Sequence, residues 1–442
     1  MSTEDRDLPD NLQAHRYFRA TLIVTLVAFA LRAAVALWLH PEPAWDGVLY
    51  ERGARALARS MGYVTFMFEQ RASDTVPTAF YPVGYPAFVG LLYKLFGERL
   101  AVLHGAGVVV STVSVTLAHR VALGVAKPRA AHASALAYAL LPGSVLFAPT
   151  AMTEPLFGFL LVLALWLLVT PLALNRIARA TLFGVTLAAA TYVRPQAIVL
   201  APLLPLFAFG RHDAIVPTAG PLALAKAHIQ RAMVPALIAT LTALALIAPW
   251  SYRNCRVLDG CALVSTNGGS NLAIGAVPRA NGRYFALNAD DGCRGVVGET
   301  ARDRCWRAVA RASIAQRPAH FGALALVKLD HTLSYEAFPL GYLRVARAIT
   351  LTDAQEKTLR RAITGPWRLF LLLALLACIP WRDRPPLAPA ARAALAACLT
   401  LLATHMVFFG GDRYHLPLIP LMVPLVAASL RGVRAWFAPS VT

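Results

Sequence analysis

Two carboxylates and two guanidiniums stand at the ends of apolar runs in this 442-residue sequence, where a charge is costly to keep and therefore informative. Asp46 closes Pro41-Glu42-Pro43-Ala44-Trp45-Asp46, just after an apolar run that ends at Leu39. Glu154 sits in Met152-Thr153-Glu154-Pro155, and Arg194 in Tyr192-Val193-Arg194-Pro195-Gln196. Arg413 and His415 lie in Gly411-Asp412-Arg413-Tyr414-His415. Singly, each has a plain explanation. A carboxylate after an apolar helix is usually solvated, and Thr153-Glu154-Pro155 also reads as a helix start with Thr153 as N-cap. Arg194 and Arg413 read as anchors that snorkel to lipid headgroups. Together they describe a reaction site. A carboxylate can take a proton from a hydroxyl, and Arg presents a planar fork that matches phosphate oxygens. The set suits a phosphate-bearing lipid meeting a hydroxyl acceptor.

The elements that position these groups follow from composition. The chain is 57% hydrophobic and 15% charged, with a mean hydropathy of +0.56. Soluble domains carry about 25% charged residues, so this chain lacks the polar surface a soluble fold of its length requires. A membrane-spanning helix takes about 20 apolar residues. The first candidate is Ala20–Leu39, interrupted by Arg32 and read as an uncleaved helix rather than a signal peptide. Further spans are expected at 100–123, 131–148, 154–170, 178–193, 196–209, 232–250, 366–381, 391–409 and 414–430. Tyr85–Phe96 is too short to cross and reads as interfacial or re-entrant. Residues 319–343 are apolar but carry Lys328, Asp330, His331 and Glu336, which favours an interfacial helix; a crossing there would invert the last third of the topology.

The resulting layout is a cytoplasmic tail at 1–19, a transmembrane module at 20–250 with an outer loop at 40–85, an extracytoplasmic region at 251–365, and C-terminal helices at 366–442. Within the net charge of +19, many basic residues punctuate the apolar runs in short loops, at Lys127 and Arg129, Arg176 and Arg179, Arg211 to Arg231, Arg382 and Arg384, and Arg431 and Arg434, while the long loop at 251–320 carries ten Arg. The short-loop pattern is the bias of cytoplasmic loops rather than the concentrated face of a nucleic-acid binder. With those loops inside, Asp46, Glu154, Arg194 and Arg413 all face outward. Cysteines agree: Cys255, Cys261, Cys293 and Cys305 fall in the outer region, where an oxidising compartment would pair them. Three connectivities are possible. Proximity favours Cys255–Cys261 and Cys293–Cys305 over the alternatives or a zinc site.

Four segments then make the chain recognisable: Trp45-Asp46 through Tyr50 and Arg55 to Gly62-Tyr63; Tyr81-Pro82-Val83-Gly84-Tyr85-Pro86 to Tyr93-Lys94-Leu95-Phe96-Gly97; Pro249-Trp250-Ser251-Tyr252-Arg253-Asn254 with Ser265-Thr266-Asn267-Gly268-Gly269; and Arg413-Tyr414-His415-Leu416-Pro417. In this order they resemble the GT-C superfamily of polytopic glycosyltransferases, in the branch (family 39) of protein O-mannosyltransferases and the lipid A aminoarabinose transferase. The resemblance implies an all-α polytopic membrane protein, a bundle of about ten or eleven spans with interfacial helices in the first outer loop. It also implies a polyprenyl-phosphate sugar donor and inverting transfer on the periplasmic or extracytoplasmic face of a cell (inner) membrane. By the same resemblance Asp46 would be the base, and Glu154 a second-loop acid that assists it or binds metal. Arg194 and Arg413 would hold the donor phosphate, with Tyr81 and His415 lining the site. Relatives differ in using a divalent metal, so a metal at Asp46 and Glu154 stays open. The family often shows Asp-Glu at the first-loop acid; here Gly47 follows Asp46.

A transporter or lipid flippase is the rival reading. Transporters tend to carry internal repeats and midplane sites; this sequence shows no repeat and its charges gather at one face. A non-catalytic scaffold is the third. The acceptor is a lipid, a glycan or a protein hydroxyl, with 251–365 the expected source of choice among them.

Overall fold

The computed structural model describes residues 10–65, 76–208, 221–379 and 386–430. Arg211, Arg382, Arg384, Arg431 and Arg434, used above for topology, lie outside these. Among the described residues the chain is almost wholly helical, with one two-residue antiparallel pair, Val64–Thr65 against Val76–Pro77. It is a helical membrane protein. Among the described residues five helices are long and apolar enough to cross a bilayer: Tyr17–Leu39, Leu100–Leu123, Ile229–Val257, Pro389–Val407 and Asp412–Leu430. Glu154–Val169 and Pro195–Ala208 are shorter apolar helices between them.

The elements differ from the sequence expectation where proline or a cap intervenes. The expected run 131–148 is two helices, Pro128–Leu140 and Pro142–Phe147, because Leu141 precedes proline and is pushed out of the helical region. The expected interfacial helix at 319–343 is likewise two, Pro318–Leu333 and Phe338–Val345. The helix expected at 366 begins at Asp353, where Thr352 and Gln355 form a capping box and carry it well beyond its apolar half.

Ile419–Leu430 stands at the centre, buried over all but its last residue and packed against Leu100–Leu123, Pro128–Leu140, Asp353–Leu376 and Pro389–Val407. The last of these faces the core with Ala390, Ala391, Ala393, Ala394, Ala396 and Ala397, small side chains that let backbones approach closely. Arg32, midway along the first helix, is fully buried: Nε donates to Ser111 Oγ of a neighbouring helix at 2.8 Å, and Nη1 to the carbonyls of Ala28 on its own helix and of Ala139 at 3.2 and 3.1 Å.

Over one end of the bundle lie the first-loop helices and an outer lobe. Asp46–Ala58 packs on Gly84–Phe96, which stops at Gly97 with φ of 89°, a left-handed conformation that glycine adopts freely. In the outer lobe, Gly268–Ile274 packs on Glu299–Gln316 around Trp306, with disulfides Cys255–Cys261 and Cys293–Cys305. One buried-side carboxylate fastens lobe to loop: Glu299 accepts from Thr78 Oγ1, the Ala79 amide and Thr266 Oγ1 at 2.7, 2.8 and 2.6 Å. Arg253 adds hydrogen bonds to the Thr78 and Tyr63 carbonyls at 2.8 and 3.0 Å. The third motif, around Arg253 and Thr266, therefore works as a bracket for the chain leading to Tyr81.

Candidate active site

Asp46 opens the helix Asp46–Ala58, where the unpaired amides of the first turn favour a negative charge. The preceding residue, Trp45, has φ of 49°, a left-handed conformation unusual for a bulky residue. Its ring is held by Phe338 at 4.9 Å and Tyr342 at 5.9 Å between centroids. Strain of this kind persists only where the surroundings over-determine it, and here it fixes the direction in which the Asp46 carboxylate leaves the backbone.

Both oxygens of that carboxylate are engaged. Tyr81 OH donates to Oδ1 at 2.9 Å and Arg413 Nη1 to Oδ2 at 2.9 Å. Burial pushes the carboxyl up, but the Arg413 charge, the two hydrogen bonds and Arg194 together outweigh it and hold Asp46 below the usual carboxylate range. Tyr81 is shifted the other way, first by burial and then by the Asp46 charge.

Arg413 is delivered by the 3-10 turn Asp412–Leu418, whose first residue docks it: Asp412 Oδ2 accepts the amides of Ala337 and Phe338 at 2.5 and 2.6 Å. The guanidinium lies over the rings of Phe338 and Tyr414, 5.2 and 5.0 Å from their centroids. Its Nε reaches Glu154 Oε1 at 3.8 Å, and Glu154 in turn takes Arg194 Nη2 at 2.5 Å. The four charges named from sequence thus form one alternating line, Asp46, Arg413, Glu154, Arg194. Thr153 does not act as a backbone cap; its hydroxyl accepts from Arg194 Nε and Nη2 at 3.1 and 3.0 Å.

His415 is placed elsewhere. Its ring is fully buried, stacked on Trp367 at 3.8 Å, with Nδ1 2.7 Å from the Thr332 carbonyl and Nε2 3.5 Å from Glu336 Oε1. It sits behind the turn that carries Arg413 rather than beside Asp46. Burial pushes the Glu336 carboxyl up, and neither of its oxygens has a hydrogen-bond partner among the described residues.

Asp46 and Arg413 border a cavity of about 450 Å³ with Trp45, Phe338, Tyr335 and Tyr284. Arg194 and Glu154 are not in its wall. Tyr335, Phe338 and Arg283 were missed from sequence; the ionisable cluster in 319–343 marked the first two's neighbourhood, whereas Arg283 and Tyr284 carry no signal in an arginine-rich loop. Tyr342 was missed too. Its fully buried hydroxyl accepts the amides of Ala44 and Ala151 at 3.1 and 3.3 Å, tying the loop after the first helix to the loop before Glu154–Val169.

The same joint accounts for Gly47. A Cβ there would lie 2.8 Å from the Ala151 carbonyl oxygen and 2.8 Å from Tyr342 OH. No side chain fits beside Asp46, so position 47 is closed by packing. The donor set does not fit a metal either. Arg413 lies between Asp46 and Glu154, and among the described residues no three His, Cys, Asp or Glu side chains gather to hold an ion.

The fold and site describe a helical membrane protein with a charged, aromatic-lined cavity at one end of its bundle. Neither a family model nor the sequence of a curated protein matches the chain. Solved structures do. The oligosaccharyltransferase of Archaeoglobus fulgidus in its apo form superposes with a TM-score of 0.55 at 12% identity, over 96% of this chain and 51% of that one. Its complex with Zn and sulfate gives 0.54 at 13% identity, over 95% and 50%. Archaeal oligosaccharyltransferase AglB from the same organism, in complex with an inhibitory peptide and a dolichol-phosphate, gives 0.51 at 14% identity, over 96% and 51%. The chain spans about half the length of these structures, and the likeness is one of fold.

Proposed function

We propose that this protein is a membrane glycosyltransferase that moves a sugar from a polyprenyl-phosphate donor to a hydroxyl on the non-cytoplasmic face, by one inverting displacement. The observation that carries this reading is the Asp46 carboxylate gripped at 2.9 Å by both Tyr81 and Arg413 on the wall of a cavity of about 450 Å³. The dolichol-phosphate in the AglB complex supports a lipid phosphate as donor for a chain of this fold. The ten-span layout read from sequence, with Pro318–Leu333 and Phe338–Val345 taken as interfacial, would put the cavity mouth outside.

In the reaction the acceptor oxygen attacks the anomeric carbon while Asp46 takes its proton. The bond from that carbon to phosphate breaks, and the polyprenyl phosphate leaves with the electron pair, its charge met by Arg413. The clamp on Asp46 couples these events. While Arg413 faces Asp46, the carboxylate is a weak base. When a donor phosphate draws the guanidinium away, the largest influence that holds Asp46 down goes with it and burial weighs more against the Tyr81 hydrogen bond and Arg194 that remain, so the base strengthens as the donor arrives. Arg194 acts one step removed, by pairing with the Glu154 carboxylate that faces Arg413.

The test uses the full chain in phosphatidylcholine vesicles with a radiolabelled polyprenyl-phosphate hexose and an extract of the host membrane as acceptor source. Asp46→Asn should lower transfer by about 10²–10⁴-fold, the worth of a general base, with insertion unchanged. Transfer at the wild-type rate in that variant would reject Asp46 as the base.

A further inference from the structure

Three depressions linked by shared lining residues run from Asp46 to a surface of exposed leucines. Tyr335 borders the active-site cavity and also lines a second cleft, of about 300 Å³, with Arg360, Arg361 and Arg368. Arg368 then closes one end of a groove of about 650 Å³. Its walls are leucines from two helices, Leu326, Leu329 and Leu333 on Pro318–Leu333 and Leu371, Leu372 and Leu375 on Asp353–Leu376.

The order of these surfaces matches a lipid. In Asp353–Leu376 the polar half, with Arg360 and Arg361, gives way after Gly365 to Pro-Trp-Arg-Leu-Phe-Leu-Leu-Leu, so the arginines stand where the helix enters the apolar layer. That is the depth of lipid headgroups, where clustered basic residues attract anionic ones. Glu356 takes Arg360 at 3.1 Å on the exposed side. Among the described residues Arg361 and Arg368 have no carboxylate partner; Arg368 spends its Nε on the Ser334 carbonyl at 2.7 Å. Asp330 is the acid in the groove wall. Uncompensated guanidiniums at the mouth of a leucine groove call for a phosphate on an acyl chain.

We propose that groove and cleft bind an anionic lipid and that this lipid is the hydroxyl acceptor. The proposal rests on the transferase reading above and names its acceptor class. The donor phosphate is served by Arg413, which touches Asp46. Arg361 and Arg368, which lack a carboxylate partner among the described residues, lie beyond Tyr335, so they serve a second anion. A lipid anchored there extends its headgroup past Tyr335 towards the base, from a side other than the one taken by the donor phosphate.

The test has a binding arm and a transfer arm, both with the full chain. Retention of labelled dioleoyl phosphatidic acid by detergent-solubilised protein should fall roughly 30-fold in Arg361→Gln/Arg368→Gln, at about 1 kcal/mol for each charge removed. Retention of phosphatidylcholine should be the same in both. Equal retention of phosphatidic acid would overturn the site, and it is read without turnover. In the transfer arm the label should leave the donor for a chloroform-extractable lipid that survives the mild acid which cleaves a sugar from polyprenyl phosphate, and the double variant should raise KM for that lipid fraction more than for the donor. Label in protein or in water-soluble glycan, or a KM rise confined to the donor, would overturn the acceptor assignment. No transfer by the wild-type chain with any acceptor counts against the transferase reading, while the binding arm still decides the cleft.

Discussion

Gly47→Ala offers a sharp perturbation because it adds one carbon next to the base and removes nothing. The added Cβ would sit 2.8 Å from the Ala151 carbonyl oxygen, 2.8 Å from Tyr342 OH and 3.2 Å from Ala151 Cβ. Neither oxygen can swing aside cheaply. One belongs to the backbone, and the other is fixed by two amides, those of Ala44 and Ala151. Ordinary contact needs several tenths of an ångström more, so the helix Asp46–Ala58 must lift at its first turn, carrying Asp46 with it. Overpacking of this kind costs about 1–3 kcal/mol in stability. The kinetic effect should be larger, since a displacement of about 1 Å at a reacting group can cost roughly 10²-fold in rate. Thermal unfolding in detergent and transfer from a labelled donor measure the two separately. A second substitution makes the reasoning strict. Tyr342→Phe deletes one of the two clashing oxygens, at the expense of two amides left without an acceptor, about 1–3 kcal/mol each. Combined with Gly47→Ala it should therefore cost less than the sum of the two single changes, because part of the clash is gone. Additive losses, or wild-type turnover in Gly47→Ala, would refute the view that this joint aims Asp46.

Other expectations come from the charge line. Glu154→Gln removes the buried carboxylate and leaves the part-buried Arg194 without its charge partner; breaking a buried pair costs up to about 3–5 kcal/mol, so the unfolding midpoint should drop, and a midpoint within error of wild type would contradict the pairing. Arg413→Ala removes the cation facing the leaving phosphate, so KM for the donor should rise and kcat fall together; a titration showing an unchanged donor KM would remove Arg413 from the donor site. The pH dependence has a definite sign. Asp46 is held below its ordinary value of about 3.9, so it is ionised at neutral pH and its ion pair stabilises the fold above that range. Both the pair and the free enzyme's base should be lost only as pH falls through the lowered value. The acid limb of kcat/KM should thus lie below about pH 3.9, and a limb near 6 would contradict the clamp.

Much of this was readable from sequence because membrane burial makes charge conspicuous. Asp46, Glu154, Arg194 and Arg413 each stand at the end of an apolar run, and the structure joins all four through contacts of 2.5 to 3.8 Å. His415 shows where that logic stops: two residues from Arg413 in sequence, it faces the opposite side of the 3-10 turn and stacks on Trp367. Neighbourhood along the chain did not predict neighbourhood in space. The break between Leu333 and Phe338 was hidden for a related reason. Residues 319–343 read as one apolar stretch, yet the four residues between its two helices bring Tyr335 to the cavity and Glu336 to the core.

Gly47 was visible but not interpretable. A glycine after the first-loop acid looks, in sequence, like a lost ligand. In space it is the contact point of two loops, where Tyr342, almost three hundred positions away, supplies the oxygen that closes the site. Tyr342 itself resembles any aromatic of an interfacial helix, and only the two amides converging on its hydroxyl distinguish it. The missing carboxylate and the buried tyrosine are therefore one feature. Filling position 47 and emptying position 342 should partly cancel, and that cancellation is what separates a packed joint from a residue merely absent.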